Sequence, residues 1–309
     1  MKLSEDILYA LAKKLYRNNP GQDDRMAAAL ANDETYGVYR SECLNKVLAA
    51  ANRYNVKYVG KDVLDLGCFD GTITQGLLES GVRSAVGVDI DADAIETARK
   101  LHTDQRIRFL LGNTDGFPLE DNSVDTIISY DVFEHVETPK PILQECYRVL
   151  RPGGQMLIGT WGWYHPFAPH LWSTMPVPWA HLFFSERTIL RTCRRVYQSD
   201  WYAPNMHDFD KDGQRIADKY THEKIPTQFL NKFLIRDFQK VFRESPLDFE
   251  INPNRFASEW AAWTTPFLRV PFLKEFFTAY IWVVLTCPTS KPQPTKTNSA
   301  AQELVEVSC

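Results

Sequence analysis

Two acidic residues and two glycines are spaced for cofactor chemistry. Asp65, Gly67 and Gly71 lie in the run Val63-Leu64-Asp65-Leu66-Gly67-Cys68-Phe69-Asp70-Gly71-Thr72, and Asp89 closes the next apolar run, Ala85-Val86-Gly87-Val88. A buried strand that breaks into a tight glycine loop and then a helix lets backbone N–H groups close around a small charged ligand. With an acidic residue ending the neighbouring strand, the pattern describes a nucleotide-binding crevice. The glycine spacing then selects the nucleotide. A dinucleotide loop wants G-x-G-x-x-G, so that the chain can approach a pyrophosphate. Here the spacing is Gly67-x-x-x-Gly71, and Phe69 would obstruct that approach. A cofactor with a zwitterionic amino-acid tail suits the loop better, and a nicotinamide-dependent dehydrogenase is disfavoured.

These residues resemble the first motif of the class I S-adenosylmethionine-dependent methyltransferases, with Phe69 in place of the middle glycine. Four further segments follow in the family's order. Val88-Asp89-Ile90-Asp91 resembles the second motif, in which Asp89 would accept hydrogen bonds from both ribose hydroxyls. Gly112-Asn113-Thr114-Asp115 follows a third strand, Ile107 to Leu111, and is similar to the adenine loop, with Asn113 where an aspartate is usual. A fourth strand, Ser123 to Tyr130, runs into Asp131-Val132-Phe133-Glu134-His135-Val136. That string resembles the E-H-V signature of quinone-biosynthesis and related small-molecule methyltransferases. Leu150-Arg151-Pro152-Gly153-Gly154 then turns into a fifth strand, Gln155 to Thr160.

The resemblance covers residues 60 to 160. It implies S-adenosylmethionine held by Asp65, Gly67, Cys68, Gly71, Asp89, Ile90, Asn113, Thr114 and Tyr130. It also implies a Rossmann-like α/β fold, with a mostly parallel seven-stranded sheet and helices on both faces. Each motif alone has a plainer reading. Asp89 could cap the helix near Asp91, His135 reads as a packed helix residue, and Pro152-Gly153-Gly154 is turn chemistry. Their joint order carries the argument.

Beyond the fifth strand the alternation of strand and helix breaks. The segment WGWYHPFAPHLWSTMPVPWAHLFF holds Trp161, Trp163, Trp172 and Trp179, four prolines and three histidines. It begins at the carboxyl edge of the sheet, where open α/β sheets bind ligands. An aromatic lid stiffened by proline would shape a small pocket and exclude water there. Packing of the lid's own core explains most of these rings equally well. O- and N-methylation usually needs a base, and histidine titrates near working pH. His165, nearest the strand end, is the first candidate, and His170 the second. His181 is weaker. The turn-rich spacing of these three histidines matches no familiar metal-ligand geometry, so no metal is expected.

The elements that must position these groups fall into zones. Residues 1–60 read as an N-terminal helical cap, in which Tyr36 and Arg40 are placed to reach the carboxylate of a methionine tail. Residues 61–160 form the cofactor-binding core, and 161–225 the aromatic, proline-rich lid. Residues 226–287 rejoin the sheet through a helix at 228–243 and strands at 248–253 and 280–287. Residues 288–309, rich in Pro, Ser, Thr and Lys, read as a disordered tail.

Composition narrows the partners. The 309 residues carry a net charge of −4, without the clustered Lys and Arg that phosphate neutralisation needs, so no nucleic acid is expected. Six cysteines lack C-x-x-C spacing, which points away from zinc and from a disulfide framework and fits a reducing, cytoplasmic setting. No run reaches transmembrane length. The expectation is an enzyme moving a methyl group by direct displacement to a small-molecule acceptor, aromatic or lipid-like. Two alternatives stand beside it. One is a methyltransferase acting on tRNA or protein, and the other is a non-catalytic relative that uses the fold for binding.

Overall fold

The computed structural model describes residues 2–18, 33–113, 116–171, 173–205, 208–210, 212–217, 219–225, 230–257 and 259–291. Thr114, Trp172 and the tail beyond residue 291 lie outside the described residues, as does the side chain of Tyr36.

The frame is a seven-stranded sheet. Its strands are β1 (Asp62–Leu66), β2 (Ser84–Asp89), β3 (Ile107–Leu111), β4 (Val124–Tyr130), β5 (Leu150–Thr160), β6 (Asp248–Arg255) and β7 (Thr278–Thr286). They are ordered β3-β2-β1-β4-β5-β7-β6. Strands β1 to β5 are mutually parallel, while β7 runs antiparallel to both β5 and β6. The expected architecture is present. β1 and β4 are buried along almost their whole length because helices cover both faces of the sheet. One face buries Leu64, Ile127, Leu143, Met156 and Ile158 with Phe238 and Phe242. The other buries Val63, Ile73, Leu77, Ile95 and Leu157 with Cys43 and Val47. Strand order reverses between β1 and β4, and at that point the loops leaving the carboxyl ends of neighbouring strands diverge to leave a crevice.

Local chemistry sets the helix starts. Helix α1 spans Lys2–Asn18 and α2 spans Asp33–Arg53; α3 (Thr72–Glu79) follows the glycine loop directly. Helix α4 (Ala92–Leu101) is capped by Asp91, whose carboxylate accepts from the backbone N–H groups of Asp93 and Ala94. Helix α5 (Pro139–Val149) leads into β5. The short α6 (Ala180–Phe183) precedes α7 (Glu186–Tyr197), which Ser185 caps by accepting from Thr188 N–H. Helix α8 (Ile235–Arg243) begins seven residues later than the sequence pattern suggests. Residues 230–234 stay out of the helix, with Lys232 at φ 58°, and the Asp237 carboxylate accepts from Leu234 N–H to cap the helix. A 3-10 helix, Glu259–Arg269, and α9 (Leu273–Phe277) complete the link to β7.

The first sixty residues do not act as one cap. Helix α2 packs on the sheet through Cys43, Val47, Ala50 and Ala51. Helix α1 joins the lid instead, where Leu8 packs with Met175, Ala180, Ile189 and Cys193, and Ala12 packs with Val196, Tyr197 and Tyr202. Arg195 pairs with Asp6 at 2.6 Å, and Trp201 Nε1–H donates to Tyr9 Oη at 3.0 Å. The 161–225 segment thus has its own small core, and α1 is part of it. Among the described residues no helix is long and apolar enough to cross a membrane.

Candidate active site

The glycine loop is shaped by three consecutive demands. Gly67 has φ 79°, and a Cβ there would stand 2.2 Å from Val132 Cγ2, so the residue must be glycine. Gly67 and Cys68 donate their N–H groups to the Val88 carbonyl, which ties the loop to β2. Phe69 adopts φ 49°, the backbone region that a glycine occupies easily, and its N–H donates to Asp89 Oδ2 at 2.8 Å. Gly71, with φ 81°, caps α3, and Asp70 Oδ1 accepts from Thr72 N–H at 3.0 Å.

Around this loop the charges complement a zwitterion. Asp65 is buried at the end of β1, where Thr74 Oγ1–H donates to its Oδ2 at 2.6 Å; burial raises its carboxyl to about 6. From α2, the Arg40 guanidinium approaches Asp70 at 4.0 Å and lies over the Phe69 ring. An ammonium beside Asp65 and a carboxylate beside Arg40 would each meet the opposite charge. Asp89 gives one oxygen to Phe69 N–H and the other to Asp91 N–H, so each oxygen keeps a lone pair for a hydroxyl. Phe69, Ile90 and Leu111 are large apolar residues left 39%, 69% and 49% exposed at the carboxyl ends of β1, β2 and β3. They offer apolar surface for the flat face of a base. The donor set therefore fits S-adenosylmethionine.

The remaining expected ligands are placed less simply. Asn113 Oδ1 already accepts from Gly116 N–H at 2.6 Å, closing a local turn. Cys68 is fully buried, and burial pushes its thiol far up, so it packs rather than reacts. The Tyr130 ring is buried between α2 and β7, against Tyr280 and Trp282.

Residues 64–158 match the model of a methyltransferase domain family. A probable S-adenosylmethionine-dependent methyltransferase of Mycolicibacterium smegmatis is 33% identical over 141 residues, 46% of this chain and 51% of the relative. Residues 64–158 thus form a domain similar to those of the class I S-adenosylmethionine-dependent methyltransferases. Their cofactor is S-adenosylmethionine. An uncharacterized methyltransferase of Mycobacteroides abscessus is 28% identical over 229 residues, covering 73% of this chain and 76% of the relative. A methyltransferase structure from Mesorhizobium loti aligns with TM-score 0.46 and 15% identity over 76% of this chain and 95% of its own. The chain spans about half the length of the Mycolicibacterium relative.

A second group of residues gathers where β4 and β5 end. Asp131, with φ 56°, accepts from Tyr280 Oη–H at 2.6 Å, and burial raises its carboxyl to about 6. Glu134 is buried, with Oε2 accepting from Thr160 Oγ1–H at 2.7 Å, and burial holds its carboxyl well above the usual range. The 131–136 loop is stapled by Asn231. That residue donates its N–H to Glu134 O and its Nδ2–H to Phe133 O and Val136 O. His135 stands in this turn and not in a helix as its sequence context suggests. The sequence marks the loop only through its E-H-V resemblance. Nothing local points to Thr160, Asn231 or Tyr280.

The lid histidines separate. His165 stacks on Trp161 at 4.9 Å, and its Nδ1 accepts from Phe167 N–H, which leaves the proton of the neutral ring on Nε2. Burial lowers it to about 4. His170 has φ 55° and meets Trp161 and His135 edge-on, and burial lowers it to about 3. Neutral rings this weakly basic are poor proton acceptors at neutral pH. His181 donates Nε2–H to the Trp163 carbonyl at 2.8 Å and is a structural strut. Trp179 likewise spends its Nε1–H on Tyr164 O. Two cavities border the lid, each of about 10 Å³, room for about one water.

Proposed function

We propose that this protein transfers the methyl group of S-adenosylmethionine to a small-molecule acceptor bound between the glycine loop and the 161–225 lid. The observation that carries the reading is the aromatic bridge from Tyr130 through Tyr280 to Trp161, with His165 and His170 around its far end. It continues the wall of the crevice from the cofactor side into the lid, so an acceptor there lies in a dry, aromatic setting. The bound cofactor supplies an electrophilic methyl on a sulfonium. Asp65, Arg40 and Asp89 bind and orient its two ends, which fixes the line of attack. Orientation of that kind is worth several kcal/mol, about 7–11 at most. Asp131 and Glu134 line the acceptor side, and the lid excludes water that would compete.

The weakly basic histidines favour positioning over a histidine general base. An acceptor that loses its proton easily, or an amine already carrying a lone pair, fits this site best. The net charge of −4 supports a small molecule over RNA.

Methyl-labelled S-adenosylmethionine incubated with the protein and a cell extract, then split into small-molecule, RNA and protein fractions, tests this reading. Label confined to the small-molecule fraction is expected. Label in RNA or protein would sink the small-acceptor reading and leave the family unchanged.

A further inference from the structure

Three buried polar atoms on the acceptor side have no hydrogen-bond partner. One is Trp161 Nε1; the other two, Glu134 Oε1 and His170 Nε2, belong to residues able to hold an ion. With a nitrogen of His135, the ligand atoms of Glu134 and His170 all lie within 4.8 Å of one another. Leaving a buried carboxylate oxygen and an imidazole nitrogen unpaired costs about 1–3 kcal/mol each, so the arrangement calls for a partner. We propose that Glu134, His135 and His170 bind a divalent transition-metal ion of the zinc class.

Two imidazoles and one carboxylate are the donor set of open metal sites, in which three protein ligands leave a position for water or substrate. Bonds of about 2.1 Å put tetrahedral ligand atoms about 3.4 Å apart. The observed spread therefore needs a closure of at most about 1.4 Å, which small side-chain rotations supply. The surroundings are those of a held site. Thr160 Oγ1–H fixes the other Glu134 oxygen, and Asn231 fixes the loop that carries Glu134 and His135. Outer contacts of this kind orient metal ligands. His170 is held at a left-handed φ of 55° against the edge of Trp161, a conformation that surrounding structure must impose. A cavity of about 10 Å³ bordered by Glu134, Trp161 and Asn231 adjoins the carboxylate side of the group and has room for one water. The proposal departs from the sequence, where His165, His170 and His181 were the only metal candidates and none was expected.

The ion's use rests on the methyl-transfer reading. A hydroxyl of the acceptor bound to it would lose its proton more easily, to bulk water, and its oxygen would form the O–CH3 bond as the S–CH3 bond breaks and S-adenosylhomocysteine leaves. That supplies the activation that neither lid histidine provides. Metal binding itself needs neither acceptor nor cofactor, so the two readings fail separately.

The test titrates Zn²⁺ into chelator-stripped, full-length protein by calorimetry, without cofactor. Wild type, Glu134→Gln and His170→Asn are compared, asparagine being chosen because it tolerates the left-handed backbone at position 170. One equivalent is expected in the wild type, with affinity at least tenfold weaker in each variant. X-ray absorption of the wild-type zinc form is expected to show two imidazoles in the first shell, a readout that does not depend on how the variants fold. No stoichiometric binding, equal affinity in folded variants, or a first shell with fewer than two imidazoles would each overturn the proposal.

Discussion

The Asp89 carboxylate and the Phe69 backbone N–H meet at 2.8 Å, joining the end of the second strand to the glycine loop at its non-glycine residue of positive φ. One side chain thus holds the loop and keeps lone pairs that, in the proposed cofactor site, would meet the ribose. Hydrogen bonds to a charged group contribute about 1.5–3 kcal/mol each. Asp89→Ala is therefore expected to weaken S-adenosylmethionine binding by at least about a hundredfold, since each 1.4 kcal/mol is tenfold. Calorimetric titration with the cofactor measures it, and unchanged affinity would remove the ribose assignment.

Asp65 gives a pH signature. Burial raises its carboxyl to about 6, against an ordinary value of about 3.9. The folded protein then holds the proton longer than the unfolded chain does. This contribution to stability is full below pH 4 and is lost as pH rises through 6, amounting to about 3 kcal/mol. Asp65→Asn carries no such charge. Relative to wild type, the variant should gain stability between pH 4 and pH 7, as followed by urea unfolding at each pH. Parallel stability profiles for the two proteins would contradict the burial argument.

Gly67 is constrained twice, by φ 79° and by the Val132 methyl 2.2 Å from where a Cβ would stand. Gly67→Ala should cost more than about 2 kcal/mol from overpacking and backbone strain together. Adding Val132→Ala removes the steric part and leaves the backbone part, about 1–2 kcal/mol. Denaturant midpoints of the two single variants and the double variant separate these contributions. A double variant no more stable than Gly67→Ala would show that the contact with Val132 is not the constraint.

His181 should behave as a strut. Its Nε2–H bond to the Trp163 carbonyl is worth about 1 kcal/mol, and burial lowers its pKa so that the ring is neutral. His181→Ala is expected to lower stability by about 1–2 kcal/mol, counting the lost packing. Cofactor affinity should stay within about twofold of wild type. A large loss of affinity with normal stability would instead place this histidine in the site.

The parts of this protein legible in its sequence are those that local physics writes. Val63 to Leu66 is apolar enough to be a strand covered on both sides, Gly67 and Gly71 mark left-handed turns, and Asp91 announces a helix start. These features depend on neighbours within a few residues, and five such segments in order were enough to imply the sheet, the crevice and the cofactor. Tertiary packing decided the rest. Glu134 and His170 come within ligand distance only because the 161–225 segment folds back beside the 131–136 loop. Asn231 reaches the 131–136 loop from nearly a hundred residues downstream. Tyr280 meets Asp131 because β7 pairs antiparallel with β5, setting Trp282 opposite Gly159. Helix α1 left the expected cap for the lid because Leu8 and Ala12 find their apolar partners there. No periodicity encodes such meetings, since each depends on which distant surfaces bury each other best.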